Sequence, residues 1–289
     1  MSEAVMRVED MDSGARFRGK VVSSERITSP ASEDEVREIV IDVEGPSLRV
    51  GQSIGVLAPG EEELGGADHL RLYTVADLPT RGPNDESRIK IAVKRVTYID
   101  EYSGERYDGV ASNYLCNRRE GDDLELTGPY EHPFQVPHEH DATLVLIGQG
   151  TGIAPFRALV KHIYADVKDW TGQIWLFYGA RSGLELLYMN DEKDDFAQYY
   201  DRDTFEAFRA VSPRPHWSAP IAWEETIEER GQVIWDALGS PKTYVYVAGL
   251  EELRPALDKV FTKLAGSEEA WERRLAELMA GERWVELLY

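Results

Sequence analysis

Three glycines at alternate positions, Gly148, Gly150 and Gly152, stand between an apolar run, Leu144–Ile147, and a segment whose apolar residues Phe156, Leu159, Val160, Ile163 and Tyr164 recur at one-face helical spacing. Glycine reaches backbone conformations closed to other residues, so the run reads as a strand stopping in a tight turn. Pro155 fits the first turn of the following helix, where its missing N–H is harmless. A strand, a loop without side chains and a helix N-terminus together let a phosphate or a flat ring approach backbone N–H groups. The chemistry on offer is nucleotide binding. The spacing is G-x-G-x-G, not the dinucleotide fingerprint G-x-G-x-x-G, and it also serves an ordinary tight βα turn.

Other residues that could do chemistry lie upstream. Arg71-Leu72-Tyr73-Thr74 falls in an expected strand, so alternation puts Arg71 and Tyr73 on one face and Leu72 and Thr74 on the other. A half-buried strand end with a salt bridge would look the same. Lys94-Arg95-Val96-Thr97-Tyr98 closes another strand. Gly109-Val110-Ala111-Ser112 reads as a glycine turn opening a helix, a second N-terminus suited to an anion.

Two kinds of element must position these residues. From Phe17 to about Pro137 the chain is written in short β-type runs, Gly19–Ser23, Glu38–Val43, Ile54–Leu57, Leu72–Val75, Ile89–Val96 and Leu124–Thr127, with one helix at Val110–Asn117. Strands at this density suggest an antiparallel barrel or sandwich. From Ala142 the rhythm becomes strand then helix. The β-rich runs are Leu144–Ile147, Ile174–Tyr178, Phe205–Val211 and Tyr244–Val247, and the amphipathic segments are Ala154–Ala165, Asp191–Tyr199, Glu224–Leu238, Glu251–Leu264 and Glu268–Ala280. That pattern predicts a parallel α/β sheet. The boundary is expected near His138–His140, giving domains 1–138 and 139–289, with chemistry in a cleft where they meet. Residues 1–14 are polar and patternless, as in a frayed start.

With 289 residues, 42% hydrophobic and 29% charged, the chain is long enough for two full cores and ordinary in make-up. The net charge of −21 argues against nucleic acid and anionic membrane as partners. No apolar stretch approaches a membrane span, and the acidic start MSEAVMRVEDMD resembles neither a signal nor a transit peptide, so the expected location is cytoplasmic. The one cysteine, Cys116, excludes an intramolecular disulfide, a structural zinc built on several thiolates and an iron–sulfur cluster held by four. Redox chemistry here must use an organic cofactor.

The order of the motifs says more than any one of them. Gly51-Gln-Ser-Ile-Gly-Val56, Arg71–Thr74, Val93–Arg95 with Tyr98, Gly109–Ser112, Gly128-Pro129, Gly150-Thr-Gly-Ile-Ala-Pro155, Tyr246-Val-Ala-Gly-Leu250 and a terminal Trp284…Tyr289 follow in succession. Together they resemble the plant-type ferredoxin–NADP⁺ reductases from about Phe17 to the last residue. The resemblance implies an N-terminal antiparallel β-barrel binding FAD and a C-terminal Rossmann-like parallel sheet binding NADP(H). It implies that Arg71 pairs with the FAD pyrophosphate, as a guanidinium fork suits. It sets Leu72 and Tyr73 against the flavin, with Tyr73 stacked on the ring and Thr74, where the family usually has Ser, near the reacting nitrogen. Ala92 and Val93 are further cofactor-binding positions, Lys94 reaches toward the phosphates of the nicotinamide nucleotide, Tyr98 stacks on adenine, and Gly109, Val110, Ala111 and Ser112 hold the pyrophosphate.

In the second domain the resemblance gives Thr151, Gly249 and Leu250 to the nicotinamide end. It makes Tyr289 the terminal aromatic that covers the flavin and must move before hydride transfer, so Thr74 and Tyr289 are the expected catalytic pair. Ser212 and Arg214 resemble the family's Val-Ser-Arg with Pro213 intervening, and Arg181 is a further cation for the 2′-phosphate. Trp217–Arg230 contains no match to the family's Lys-x-Tyr. Ala248 stands where plant enzymes commonly carry Cys and Leu287 where they carry Glu, with Glu286 one position off. The activity implied is hydride exchange with NADP(H) and single-electron exchange with a ferredoxin or flavodoxin, for which Lys90, Lys94, Arg95, Arg118 and Arg119 are candidate docking cations. Two other readings stay open: a diaphorase or an oxygenase reductase component on the same fold, and a nucleotide-binding scaffold without turnover.

Overall fold

The computed structural model describes residues 15–60, 68–100, 102–131, 133–215 and 219–289. The patternless start at 1–14 therefore lies outside the described residues. The chain divides into two compact units, Met1–Ile27 with Glu33–His132, and Thr28–Ser32 with Pro133–Tyr289.

The first unit is built on a seven-stranded sheet in which every pairing is antiparallel. Its strands are β1 (Phe17–Arg26), β2 (Val36–Glu44), β3 (Gln52–Ala58), β4 (His69–Thr74), β5 (Thr80–Arg81), β6 (Ser87–Lys94) and β9 (Asp123–Glu131), in the order β4-β3-β9-β1-β2-β6-β5. Alternation is plain in β2 and β6: Ile39, Ile41 and Val43 meet Ile89, Ile91 and Val93 in one core. On the polar face, Arg88 sits opposite Asp42 in register and grips it with two hydrogen bonds of 2.7 and 2.8 Å. A short helix, α1 (Val110–Cys116), packs against β3, β4 and β6, strands from both ends of the order, so the sheet curls around its core as a barrel. Between β6 and α1, β7 (Thr97–Ile99) and β8 (Arg106–Asp108) form a separate hairpin.

The second unit carries five parallel strands, β10 (Thr143–Gln149), β11 (Ile174–Ala180), β12 (Phe205–Val211), β13 (Thr243–Gly249) and β14 (Trp284–Leu288). Their order is β12-β11-β10-β13-β14, so the chain reverses direction across the sheet between β10 and β13. This is the doubly wound order of dinucleotide-binding sheets. The helices are α2 (Ile153–Ala165), α3 (Trp223–Glu228), α4 (Gly231–Leu238), α5 (Leu253–Ala265) and α6 (Glu268–Ala280). Val145, Ile147, Val245 and Val247 of the sheet pack with Leu253, Leu257 and Phe261 of α5 and with Trp271 and Trp284. No helix among the described residues is long and apolar enough to cross a membrane.

Two expected helices are corrected. Asp191–Tyr199 is a turn-rich segment with only a 3₁₀ turn at Ala197–Tyr199. Asn190 Oδ1 accepts from the N–H groups of Glu192 and Lys193, and Asp194 Oδ1 from Ala197, side-chain bonds that compete with a helix. Glu224–Leu238 is two helices, broken before Gly231, where a Cβ would lie 2.6 Å from Leu264 Cδ2 of α5. Four strands, β5, β7, β8 and β14, go beyond the runs expected from sequence.

Candidate functional site

In the second unit β10 is buried along Leu144–Ile147 and leaves the sheet at Gly150, whose φ of +57° is left-handed. The Gly150–Gly152 turn then feeds directly into α2. A Cβ on Gly152 would lie 2.1 Å from Ala248 O, so only glycine lets this turn approach the end of β13. From the other side Gly249, at φ +153°, leaves 2.9 Å between an added Cβ and Gln149 Cβ. The ends of β10 and β13 are thus pressed together where the strand order reverses, the place at which open α/β sheets take ligands.

Tyr289 closes over this point. Its N–H donates to Gly249 O at 3.1 Å, and its hydroxyl lies 2.6 Å from Thr151 Oγ1. Tyr289 as a residue is 53% exposed and Leu250 39%. Arg181 follows β11 and Ser212 follows β12, at strand ends aligned by the Ala180–Val211 register. Thr151, Arg181, Ser212, Leu250 and Tyr289 therefore each come just after the carboxyl end of a different parallel strand.

The polar groups there have local partners. Ser212 Oγ donates to Ala219 O at 2.7 Å and accepts from the Arg214 N–H at 3.3 Å, so it pins the turn that carries Arg214. Arg181 Nε lies 3.7 Å from Glu185 Oε2. Glu286 Oε1 accepts from Arg254 and from Trp284 Nε1, which ties it into the packing of β14 and α5. Residues 216–218, which include the start of Trp217–Arg230, lie outside the described residues.

Sequence reasoning missed two side chains beneath this surface. Arg157 of α2 is 1% exposed; it ion-pairs with Asp195 and lies 4.2 Å over the Tyr188 ring. Burial opposes charge on Asp195, but the Arg157 guanidinium overcomes it and holds the carboxyl below its usual range. Tyr178 of β11 is fully buried; its hydroxyl donates to Gly150 O at 2.9 Å and accepts from the Leu187 N–H at 3.0 Å. The one signal for Tyr178 was a hydroxyl-bearing residue closing an otherwise apolar strand run.

In the first unit Arg71, Leu72, Tyr73 and Thr74 occupy β4. Arg71 is exposed, and among the described residues its side chain bonds only to Leu70 O, at 2.9 Å, with no carboxylate in ion-pair range. Tyr73 packs against the barrel core, where burial raises its phenol pKa. Thr74 Oγ1 is 3.1 Å from Ser53 Oγ. Ala92 and Val93 bury their side chains in β6, and Lys94 Nζ is held by Asp34 Oδ2 at 2.6 Å.

The turn at Gly109 is tied to the end of β6. Its N–H donates to Val96 O at 2.9 Å, Val96 N–H donates to Ser112 Oγ at 3.1 Å, and Ser112 Oγ–H donates to Gly109 O at 3.2 Å. Ser112 thus fixes the turn, leaving Val110 and Ala111 in the first turn of α1, with Val110 42% exposed. Tyr98 on the hairpin is 55% exposed and stacks on Tyr107 with ring centroids 5.7 Å apart. Cys116 is buried, and burial pushes its thiol up to about 11, so it stays protonated at neutral pH.

A glycine turn at the switch point of a parallel sheet defines the second unit as a dinucleotide-binding domain, and residues 146–259 match the family model of the oxidoreductase NAD-binding domain. Over 93% of its length the chain is 31% identical to a ferredoxin–NADP reductase of Synechocystis, of which it spans 66%, and 30% identical to one of Spirulina, of which it spans 93%. It is also 30% identical to a chloroplastic leaf isozyme of Arabidopsis thaliana, spanning 76% of that protein. The ferredoxin–NADP⁺ reductase of Plasmodium falciparum, solved with 2′P-AMP, shares the fold, with a TM-score of 0.70 over 95% of this chain and 96% of that one at 20% identity. The chain belongs to the ferredoxin–NADP reductase family.

Proposed function

We propose that the chain is an FAD-dependent reductase that exchanges a hydride with NADP(H) and single electrons with a ferredoxin or flavodoxin. The observation that carries this reading is the alignment of Thr151, Arg181, Ser212, Leu250 and Tyr289 behind five parallel strand ends, with Tyr289 held to both Thr151 and Gly249. Domain 139–289 is assigned NADP(H) and domain 1–138 FAD.

The residues present suit both groups. At Gly150, where nothing lies within 4 Å of the point a Cβ would occupy, a dinucleotide can lie against bare backbone. Thr151, Gly249 and Leu250 take the nicotinamide end, and Arg214 and Arg181 supply positive charge for a 2′-phosphate, with Ser212 setting the turn. In the first domain the Arg71 guanidinium, without a carboxylate among the described residues, suits a pyrophosphate. The first-turn N–H groups of Val110, Ala111 and Ser112 have no acceptor within their helix and suit the same anion. Tyr73 and Thr74 are assigned to the flavin ring, Leu72, Ala92 and Val93 to the same cofactor, and Tyr98 offers an exposed ring to adenine.

Bound flavin supplies a centre that takes electrons as a pair and returns them one at a time, which nicotinamide does not. Tyr289 would give up its Thr151 hydrogen bond to make way for nicotinamide. Thr74 supplies a hydroxyl beside the reacting atoms. The proposed compartment is the cytoplasm, whose reducing conditions suit a chain with one buried thiol.

Anaerobic stopped-flow reduction of the purified protein, followed by flavin absorbance with NADPH and NADH in parallel, tests the reading. Fast bleaching by NADPH and slow bleaching by NADH is expected. A colourless protein, or a yellow one that neither nucleotide reduces, would sink it.

A further inference from the structure

We infer that Tyr178 is a positioning residue, whose hydroxyl sets the orientation of the Gly150 turn for the nicotinamide end of the dinucleotide. The inference rests on the NADP(H) reading above and adds a residue to it. Tyr178 lies opposite Gly148 in the register of β10 and β11, where a Cβ on Gly148 would lie 3.6 Å from Tyr178 Cδ2 and 3.3 Å from the Phe156 ring. The ring runs beneath the turn, and the hydroxyl reaches past Gly148 to Gly150 O at 2.9 Å.

Besides Tyr178, the Gly150 carbonyl accepts from the Ile153 N–H that closes the 3₁₀ turn, a local bond that does not tie the turn to β11. Gly150 is at φ +57°, and nothing lies within 4 Å of the point where its Cβ would be. Thr151, whose hydroxyl meets that of Tyr289, is the next residue along. A fully buried hydroxyl costs stability unless its bonds are made. Tyr178 makes both, donating to Gly150 O and accepting from the Leu187 N–H at 3.0 Å. The second bond anchors the phenol to the segment that follows β11, so the turn is held from a fixed point. Burial raises the phenol pKa, and the proton needed for the bond to Gly150 is present throughout the working pH range.

Tyr178→Phe keeps the ring and removes the hydroxyl. In the flavin-loaded enzyme the limiting rate of reduction by NADPH is expected to fall about tenfold, the equivalent of one buried hydrogen bond. Flavin content and reoxidation by ferricyanide should stay at wild-type values. Reduction within twofold of wild type would overturn the inference, as would an equal loss in both half-reactions accompanied by a lowered Tm, the mark of a purely structural hydroxyl. Wild type that no nicotinamide nucleotide reduces would instead refute the functional reading. If the variant does not fold, hydrogen exchange of the Leu187 amide in the wild-type holoenzyme carries the test: slower exchange on adding NADP⁺ supports the bridge, and unchanged exchange refutes it.

Discussion

The two units arrange their candidate residues by opposite means. In the first, the groups that matter are side chains, and most of the cations are already neutralised: Lys94 by Asp34 at 2.6 Å, Arg95 by Glu35 at 2.8 Å and Lys90 by Asp77 at 2.9 Å. Arg71 stands apart from them, with no carboxylate in range among the described residues. In the second unit the central feature is backbone, a turn and a strand end brought so close that a single methyl group would not fit. A side-chain site loses one interaction when one residue is changed, whereas a backbone site loses its geometry.

Gly152→Ala tests the backbone half and should have the largest effect. The new Cβ would sit 2.1 Å from Ala248 O, so the turn and β13 must separate. A displacement of that order costs about a hundredfold or more in hydride transfer. Stopped-flow reduction by NADPH should collapse while flavin content, which the proposal assigns to the first unit, stays stoichiometric. Gly183→Ala, where an added Cβ meets open space, is the control and should reduce at the wild-type rate. If both variants behave alike, close approach at Gly152 has no part in nucleotide binding.

Arg71→Ala tests the side-chain half. Losing one charge-assisted interaction should weaken FAD binding roughly tenfold to a hundredfold with the fold intact, read as flavin lost on dilution. A variant that stays fully yellow would show that the pyrophosphate lies elsewhere. Tyr289→Ser removes the ring that Thr151 and Gly249 hold in place. The ratio of NADH to NADPH turnover should rise, and an unchanged ratio would remove Tyr289 from the site.

The same contrast explains what could be read in the sequence. Alternation in β2 and β6 and the strand–glycine–helix turn were legible because burial imposes periods of two and 3.6 on the residue pattern. Of the strand-end residues, Thr151, Leu250 and Tyr289 were legible from the order of the motifs. The absence of a helix at Asp191–Tyr199 was not, because it depends on Asn190 and Asp194 bonding to backbone and on Asp195 pairing with an arginine 38 residues away. The break between α3 and α4 rests on contact between Gly231 and Leu264, again a tertiary fact. Tyr178 was hidden because a tyrosine in an apolar strand looks like core. Only the position of its hydroxyl under Gly150 distinguishes it.

The neutralised cations bear on the carrier. Of the five positive residues expected to steer it, Lys90, Lys94 and Arg95 are ion-paired at under 3 Å, and Arg118 lies 4.0 Å from Asp122 with its guanidinium over the Tyr114 ring. The chain as a whole carries −21. An exposed charge that is paired contributes little field at a distance, so the long-range interaction with an acidic ferredoxin is repulsive and short-range contacts must offset it. Adding salt screens the repulsion. The second-order rate of electron transfer to an acidic ferredoxin should therefore rise about two- to fivefold between ~0.02 and ~0.2 M salt. The rate with ferricyanide, a small anion that meets the same net charge, should rise as well. A ferredoxin rate that falls with salt while the ferricyanide rate rises would mean that these ion pairs open on docking and release their cations to the carrier.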